Sequence, residues 1–379
     1  MSINYSKIPS PCYVLNEHLL RRNLEIIKKV QDEAGVEIIL AFKGFAMWSV
    51  FPIVREYIKG AAASSVNEAR LAYDEMKTES HTYSPAFKEG DFDEIVKYSS
   101  HITFNSMNQF YRFFPLLKKG SKKISVGLRI NPEYSEVATS LYNPCSPGSR
   151  LGVAESLIGS ELPEGIEGIH FHTLCEGYSH DLEKTLFAVE GKFGHLLSRV
   201  KWVNMGGGHL MTHKDYDTNH LIELLKKFRK KYNVQVILEP GAAFAWETGI
   251  LISTIQDIVE NKGIKTAILD VSFTAHMPDC LEMPYKPKII GATDEIAGKP
   301  TYRMGGNSCL SGDFYGNWSF DKDLKIGDPI IFEDMIHYTM VKTSLFNGVT
   351  HPSIGIWNDK TGFKLVKKFA HGDYKSKLS

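Results

Sequence analysis

The chain has 379 residues, and its 44 lysines and arginines balance 44 aspartates and glutamates, so the formal net charge is zero. This balance argues against a nucleic-acid-binding protein, which carries a basic patch or stripe. A hydrophobic fraction of 43% and a charged fraction of 23% are typical of a globular protein, and no apolar run reaches membrane-spanning length. The N-terminal residues lack the apolar core of a signal peptide, so we expect a cytoplasmic protein.

The number and spacing of the cysteines argue against two kinds of site. The five cysteines, at positions 12, 145, 175, 280 and 309, form no C-x-x-C pair, so a zinc site is not expected. Because their number is odd and the expected compartment is reducing, we expect no disulfide framework. A cysteine with a function is therefore expected to act as a thiol.

The first two-thirds of the chain alternates short β-like runs with amphipathic helical patterns. Eight runs are predicted as strands: EIILAF (37–42), GAAAS (60–64), HTYS (81–84), HITFN (101–105), ISVGLRI (124–130), GIEGIHFH (165–172), VKWVNM (200–205) and VQVILE (234–239). Apolar residues at i, i+3 and i+4 predict helices over 65–77, 107–119 and 181–197, the second interrupted by Pro115. A further helix, 16–34, precedes the first strand. This alternation predicts a parallel (β/α)8 barrel of the TIM type.

The pattern changes after about residue 248. The segment 250–273 predicts two strands joined by the turn Asn-Lys-Gly, and 328–341 is another β-like run. We predict a C-terminal β domain completed by the N-terminal strand 11–15. The predicted domains are a barrel over 16–247 and a β domain over 1–15 and 248–379.

The reacting groups of such barrels lie where strands end and the following loops begin. Lys43, His172, Gly206–Gly208 and Glu239 all lie at or just after the ends of predicted strands. Alone, Lys43 fits a strand-end lysine that reaches solvent. Its convergence with the other residues favours a second interpretation, an amine held in a pocket where it forms a Schiff base.

Glycine loops after the seventh and eighth barrel strands, NMGGGH (204–209) and EPGAAF (239–244), are typical of phosphate sites in these barrels. Together with a lysine, a histidine and a carboxylate, they predict a site for pyridoxal 5'-phosphate. Lys43 would form the Schiff base, His172 would stack on the ring, and Glu239 would keep the pyridine nitrogen protonated. A buried core histidine and a loop-capping glutamate remain alternative interpretations of the last two.

These motifs resemble the fold-type III pyridoxal phosphate enzymes, the group of alanine racemase, ornithine decarboxylase and diaminopimelate decarboxylase, over nearly the whole chain. The ordered motifs are AFK with Lys43, GIHFH with His172, GGG at 206–208, EPG at 239–241, CLSGD at 309–313, EDMIHYT with Tyr338, and FNG at 346–348. Within that family, AFKGFAMWSVFP, FHTLCE, HMPDCLEMPYKP and GGNSCLSGD are similar to the carboxynorspermidine/carboxyspermidine decarboxylases.

The resemblance implies roles for the matching residues. Gly207, Gly208 and the loop at Gly241 would hold the phosphate, with Tyr338 reaching it from the β domain. Glu68 would lie near the Schiff base and its lysine. Cys309 and Asp313 would come from the partner subunit. The resemblance therefore implies a head-to-tail homodimer with shared active sites.

Three departures from the family pattern weaken an assignment to ornithine or diaminopimelate decarboxylase. Ala242 stands where those enzymes carry an arginine after EPG, Leu174-Cys175 replaces a Gly-Ser pair, and Leu310 replaces a glutamate. No arginine is clearly placed for a distal substrate carboxylate. We expect instead that acidic residues bind a cationic polyamine tail, the candidates being Asp313, Asp279 and Glu282, with Trp246 or Phe273 flanking its methylenes.

The predicted reaction is decarboxylation, because a glutamate at position 239 keeps the cofactor ring electron-withdrawing, with Cys309 as the candidate general acid. The predicted substrates, carboxynorspermidine and carboxyspermidine, differ by one methylene, so the sequence does not choose between them. The alternatives are a diaminopimelate, ornithine or arginine decarboxylase, and a catalytically silent binding protein of the antizyme-inhibitor kind. Retention of Lys43, His172, Glu239 and Cys309 together argues against the silent protein.

Overall fold

The computed structural model describes residues 3–379 and divides into two compact units. One unit is Asn23–Phe244, and the other is Ala245–Ser379 together with the chain up to Arg22. The predicted barrel range, 16–247, begins earlier because it includes the whole first helix, whereas the division falls inside that helix.

The strands are β1 (Cys12–Asn16), β2 (Glu37–Ala41), β3 (Gly60–Ala63), β4 (Ser80–Tyr83), β5 (Ser99–Phe104), β6 (Ser125–Arg129), β7 (Gly168–His170), β8 (Trp202–Asn204), β9 (Gln235–Leu238), β10 (Gly249–Asn261), β11 (Ile264–Leu269), β12 (Ala292–Thr293), β13 (Thr301–Gly305), β14 (Phe314–Phe320), β15 (Pro329–Glu333), β16 (Ser353–Asn358) and β17 (Gly362–Lys367). The α-helices are α1 (Glu17–Ala34), α2 (Phe51–Val54), α3 (Val66–Leu71), α4 (Glu89–Tyr98), α5 (Met107–Lys119), α6 (Ser179–Leu197), α7 (Thr218–Tyr232), α8 (Ala242–Ala245), α9 (Phe273–His276), α10 (Pro278–Glu282), α11 (Tyr338–Val341) and α12 (His371–Leu378). A π-helical turn, Ala72–Met76, extends α3.

Strands β2–β9 form a closed barrel, and every adjacent pair is parallel. The ring closes where β2 pairs with β9, with Glu37 opposite Ile237 and Ile38 opposite Leu238. The predicted (β/α)8 barrel is therefore confirmed. Because the strands are parallel, all their carboxyl ends lie at one rim of the barrel.

The barrel interior explains two glycines that would otherwise weaken their strands. A Cβ atom on Gly127 of β6 or on Gly168 of β7 would lie 2.3 or 2.0 Å from the indole of Trp202. The indole fills this space and its Nε1 donates a hydrogen bond to Ser125 Oγ at 2.8 Å. The glycines are thus required by the volume of one buried aromatic residue.

Helix α5 has the predicted bounds, 107–119, and contains Pro115. Ser106 caps its N-terminus by accepting a hydrogen bond from the backbone of Gln109 at 3.1 Å. Pro115 removes one internal hydrogen bond. Its side chain is exposed, so water can solvate the released carbonyl without ending the helix.

The other unit is built on a nine-stranded sheet in the order β12-β14-β13-β11-β10-β1-β16-β17, with β15 paired to β10. The N-terminal strand β1 runs antiparallel to β10 and parallel to β16, so the prediction that it completes this sheet is confirmed. The turn joining β10 to β11 has positive φ at both Lys262 and Gly263, as a two-residue type I′ hairpin requires.

The prediction of a β-like run over 328–341 is only half correct. Strand β15 occupies Pro329–Glu333, after which Asp334 takes a left-handed conformation with φ of 60°. Its carboxylate accepts a hydrogen bond from the backbone of Glu247 at 2.6 Å. This turn ends the strand, and the chain then forms the short helix α11.

No helix within residues 3–379 combines the length and the apolar composition needed to cross a bilayer.

Candidate active site

A cavity of about 440 Å³ lies in the barrel unit. Its lining comes from the ends of β2, β3, β4, β6 and β7, from Glu239 after β9, and from residues 141–144 of the long β6–β7 loop. Lys43, His172 and Glu239, which the sequence predicted to converge, all line it.

Lys43 follows β2, and its side chain is exposed towards this cavity. Burial of the surrounding site and the nearby Arg129 guanidinium lower the pKa of Lys43, although Glu239 and Glu68 partly oppose this shift. A lowered pKa increases the fraction of neutral, nucleophilic amine at neutral pH.

His172 connects Lys43 to the glycine loop after β8. The backbone N–H of Gly207 donates to His172 Nδ1 at 2.9 Å, so the neutral imidazole carries its proton on Nε2. That N–H lies 3.3 Å from Lys43 Nζ, and it can donate only to an uncharged amine. Burial, together with Lys43 and Arg129, lowers the pKa of His172 well below its usual value, which keeps the imidazole neutral.

Glu239 is held as a carboxylate after β9. Asn204 Nδ2 donates to its Oε1 at 2.6 Å, and His170 Nε2 lies 3.5 Å from its Oε2. Burial alone would raise the pKa of Glu239, but the hydrogen bonds from His170 and Asn204 and the electrostatic interaction with His170 outweigh burial and lower the pKa to about 2. An ionised carboxylate in the cavity is what a protonated ring nitrogen requires as a partner.

The glycine run 206–208 is required by close backbone contacts. Gly206 and Gly208 have φ of 69° and 87°, and a Cβ on Gly208 would lie 2.2 Å from the carbonyl oxygen of Leu174. The Gly206 amide donates to Asn204 Oδ1 at 2.8 Å, and the Gly207 amide is used by His172. Within residues 3–379, Gly208 is the one glycine of this run whose amide has no acceptor. The sequence predicted that Gly207 contacts the phosphate, but its amide donates to His172.

The loop after β9 contacts the loop after β2 through two glycines. A Cβ on Gly44 would lie 2.8 Å from Gly241 Cα and 2.9 Å from the amide nitrogen of Ala242. Gly241 therefore sets the close approach that positions Lys43 beside the EPG motif.

The comparisons with known proteins agree with this geometry. Residues 12–336 match the family model described as pyridoxal-dependent decarboxylase, C-terminal sheet domain. The chain belongs to the pyridoxal-dependent decarboxylase family. The cofactor of this family is pyridoxal phosphate, and the chain is accordingly a pyridoxal-dependent carboxy-lyase.

Members of this decarboxylase family match almost the full chain. A carboxyaminopropylagmatine decarboxylase of Synechocystis is 50% identical over 374 residues, covering 98% of this chain and 96% of that protein. A carboxynorspermidine/carboxyspermidine decarboxylase of Campylobacter jejuni is 44% identical, covering 98% of both. The crystal structure of carboxynorspermidine decarboxylase from C. jejuni in complex with norspermidine superposes with a TM-score of 0.89 at 42% identity, covering 98% of this chain and 100% of that chain.

The donor set of the barrel fits the cofactor of the decarboxylase family. Lys43 offers a neutral amine, Glu239 a fixed carboxylate, and the backbone amides of Gly208 and Gly241 have no acceptor within the described residues. Such amides suit a phosphate. These are the groups that an aldehyde, a pyridine nitrogen and a phosphate each require.

Glu68 stands at the start of α3 and accepts a hydrogen bond from the Ser64 backbone at 2.6 Å. Burial raises the pKa of Glu68, while this hydrogen bond and the charge of Lys43 oppose the shift. Its position near Lys43 agrees with the predicted neighbourhood, but its carboxylate also completes the turn that begins α3.

The β unit holds the remaining predicted residues. Cys309 is exposed, and its backbone N–H donates to Asn347 Oδ1 at 2.6 Å. Asp313 is 5% exposed and accepts hydrogen bonds from the Thr274 amide, the Ser308 amide and the Ser308 hydroxyl. Asp313 therefore organises the loop that presents Cys309, in addition to any contact with a substrate.

Asp279 and Glu282, the predicted tail-binding acids, both pair with Lys342, in the case of Asp279 at 2.8 Å. One ammonium group of the chain itself thus already offsets one of their two negative charges. Tyr338 begins α11. Phe273 is completely buried against Phe332, so it is a core residue and does not line a substrate channel.

Sequence reasoning missed the two residues that hold Glu239. Asn204 is a buried polar residue at the carboxyl end of β8, and His170 lies two positions before His172, on the same side of the chain if the extended pattern continues. Both signals were present in the sequence. The structure also places Arg129 over the ring of Tyr83 at 4.8 Å, with one N–H donated to the carbonyl of His172.

Proposed function

We propose that this protein decarboxylates carboxynorspermidine and carboxyspermidine to norspermidine and spermidine in polyamine biosynthesis. The observation that carries the proposal is the 44% identity over the full length to an enzyme named for these two substrates. The relatives named diaminopimelate decarboxylase are only 22–24% identical, which supports the fold alone. The cytoplasmic location expected from the sequence remains a prediction.

Bound pyridoxal phosphate supplies an aldehyde that binds amines covalently and a ring that accepts the electron pair released with carbon dioxide. Lys43 would hold the aldehyde through its side-chain amine. His172, fixed by Gly207, would support the ring. Glu239 would keep the ring nitrogen protonated, and Asn204 orients that carboxylate.

We propose Cys309 as the acid that delivers a proton to the substrate carbon left by decarboxylation. An exposed thiol on a loop braced by Asp313 suits a residue that completes another subunit's site. The homodimer with shared active sites belongs to this proposal. The alternative of a catalytically silent binding protein is disfavoured, because such a protein would not need a neutral Lys43 amine and an ionised Glu239 in the same cavity.

The cationic tail needs acidic residues, and Asp313, Asp279 and Glu282 remain the candidates. The contacts of Lys342 with Asp279 and Glu282 imply that a substrate ammonium must replace Lys342 or join it there. We therefore assign the tail to Asp313 first, because its partners are hydrogen-bond donors without a formal charge.

A second candidate substrate is carboxyaminopropylagmatine, favoured by the 50% identical relative named for it. Its tail ends in a guanidinium, which binds carboxylates through two parallel hydrogen bonds, whereas an ammonium binds as a point charge.

The test measures carbon dioxide release by the holoenzyme from carboxynorspermidine, carboxyspermidine, carboxyaminopropylagmatine, diaminopimelate and ornithine at equal concentration. We expect the highest kcat/KM for one of the first two, and no release by Lys43→Ala. The highest kcat/KM for carboxyaminopropylagmatine would favour the second candidate. Release from diaminopimelate or ornithine alone would overturn the proposed function.

A further inference from the structure

Two neighbouring helices of the barrel unit bring together a group of side chains that the decarboxylase chemistry does not use. His180 and Glu183 lie one turn apart near the start of α6, and His220 is the third residue of α7. One ligand atom from each of the three lies within 4.8 Å of the others. We name this group the α6–α7 triad.

The carboxylate of Glu183 lies between the two imidazoles. Its Oε2 is 3.6 Å from His180 Nδ1 and 3.5 Å from His220 Nε2. The imidazole rings are themselves 4.1 Å apart between centroids. In the part of the chain that the structure describes, Glu183 forms no ion pair with a lysine or an arginine, so no fixed cation competes for this oxygen.

The two distances from Glu183 match the spacing of ligand atoms around a small transition-metal ion. Tetrahedral zinc with bonds of about 2.0–2.1 Å separates its ligand atoms by about 3.3 Å, close to both distances from Glu183. Two imidazoles and one carboxylate form a donor set that binds zinc in preference to magnesium or calcium. We propose that the α6–α7 triad binds one Zn²⁺ per chain, with water completing the coordination on the exposed side.

The triad lies on the catalytic rim of the barrel by topology, because α6 and α7 begin after the loops that follow β7 and β8. Those loops carry His172 and Gly206–Gly208. They are hydrogen-bonded to each other, since the Gly177 amide donates to the Gly208 carbonyl at 2.7 Å and the Leu210 amide donates to the Gly177 carbonyl at 3.1 Å. Zinc bound at the triad would therefore clamp two helix starts whose preceding loops support the cofactor site.

The test uses tag-free, chelator-treated holoenzyme titrated with ZnCl₂ by calorimetry. We compare the wild type with His220→Ala, Glu183→Gln and His195→Ala, the last removing an exposed histidine of α6 outside the triad. We expect the wild type and His195→Ala to bind one Zn²⁺ per chain alike. His220→Ala and Glu183→Gln should lose at least about tenfold in affinity.

A second readout separates the triad from zinc bound elsewhere, such as at exposed Cys309. Zinc should slow amide hydrogen exchange at the starts of α6 and α7 in the wild type and His195→Ala, and not in Glu183→Gln. Absence of zinc binding to the wild type would overturn the proposal. Equal affinity in all four proteins, or zinc binding without slower exchange at the two helix starts, would overturn it as well.

Discussion

The pair formed by Lys43 and His172 shows how one backbone amide influences a reactive group two side chains away. Gly207 fixes the tautomer of His172, and that tautomer favours the uncharged form of Lys43. Burial and Arg129 act in the same direction by lowering the pKa of Lys43. The amine is thus prepared for covalent chemistry by its surroundings, without a base beside it.

Asn204 is predicted to be a positioning residue for Glu239. A hydrogen bond to a charged group contributes about 1.5–3 kcal/mol, so Asn204→Ala should lower kcat/KM by about 10–100-fold and raise the pKa of Glu239. The activity of Asn204→Ala relative to the wild type should therefore fall further as the pH decreases below neutral, as measured by a pH–rate profile. Gln235→Ala, at the opposite end of the neighbouring strand, is the control and should retain wild-type kinetics. A fully active Asn204→Ala enzyme would contradict this role.

Buried histidines predict how stability depends on pH. Burial and the neighbouring His101 lower the pKa of His81 to about 3, and burial lowers the pKa of His209 to about 4. In the unfolded chain these groups titrate at about pH 6.5, so below that pH the unfolded state binds more protons. The stabilising contribution is complete above about pH 6.5 and is lost as the pH falls toward 4, by up to about 1.4 kcal/mol per pH unit for each histidine.

Urea-induced unfolding at pH 7.5 and at pH 5.0 checks this expectation. His81→Asn should reduce the loss of unfolding free energy between the two pH values, because one proton-binding difference is removed. His195→Asn changes an exposed histidine and should behave like the wild type. An equal pH dependence in His81→Asn and the wild type would show that His81 does not contribute.

Among the elements, the contact between the loops after β2 and β9 is a sensitive point. In Gly44→Ala the added methyl group meets backbone atoms of Gly241 and Ala242, which cannot rotate away. We expect the unfolding free energy to fall by about 1–3 kcal/mol and the cofactor to be released more easily, as measured by dialysis and absorbance. Gly90→Ala in α4 has open space around it and should retain wild-type cofactor content. Tight cofactor retention by Gly44→Ala would refute the requirement for this approach.

Sequence patterns predicted the number and order of the barrel strands, because alternation of short apolar runs with amphipathic helices is a local signal. They did not predict that Gly127 and Gly168 leave the space that the Trp202 indole fills. This packing involves residues on three different strands that are far apart in the sequence. Strand β7 is only Gly168–His170, whereas 165–172 was predicted. Gly165 has φ of 100°, a turn conformation that apolar periodicity does not register.

The same contrast holds for the site. Lys43, His172 and Glu239 were predictable because each follows a strand of a barrel whose rim is known to carry function. The hydrogen bond from the Gly207 amide to His172 could not be predicted, because the separation of the two residues in the sequence does not determine their distance in the fold. The pairing of Lys342 with Asp279 likewise depends on tertiary packing between two helices of the β unit.

At the scale of the whole molecule, shared active sites predict complementation between inactive variants. Lys43→Ala and Cys309→Ala each remove one residue, and a mixed dimer contains one intact site if the two residues come from different subunits. After dissociation and random reassembly, about half of the dimers are mixed, so about a quarter of wild-type turnover should return. Reassembly of either variant alone is the control. Dimers that recover no activity would mean that each chain completes its own site.

Lys43 is expected to bind the cofactor covalently. Borohydride reduction of the holoenzyme, followed by proteolysis and mass spectrometry, locates the pyridoxyl group directly. We predict that the group is found on the peptide containing Lys43 and is absent from Lys43→Ala. A pyridoxyl group on another lysine, or an unmodified Lys43 after reduction of enzyme that was fully active beforehand, would show that Lys43 does not hold the cofactor.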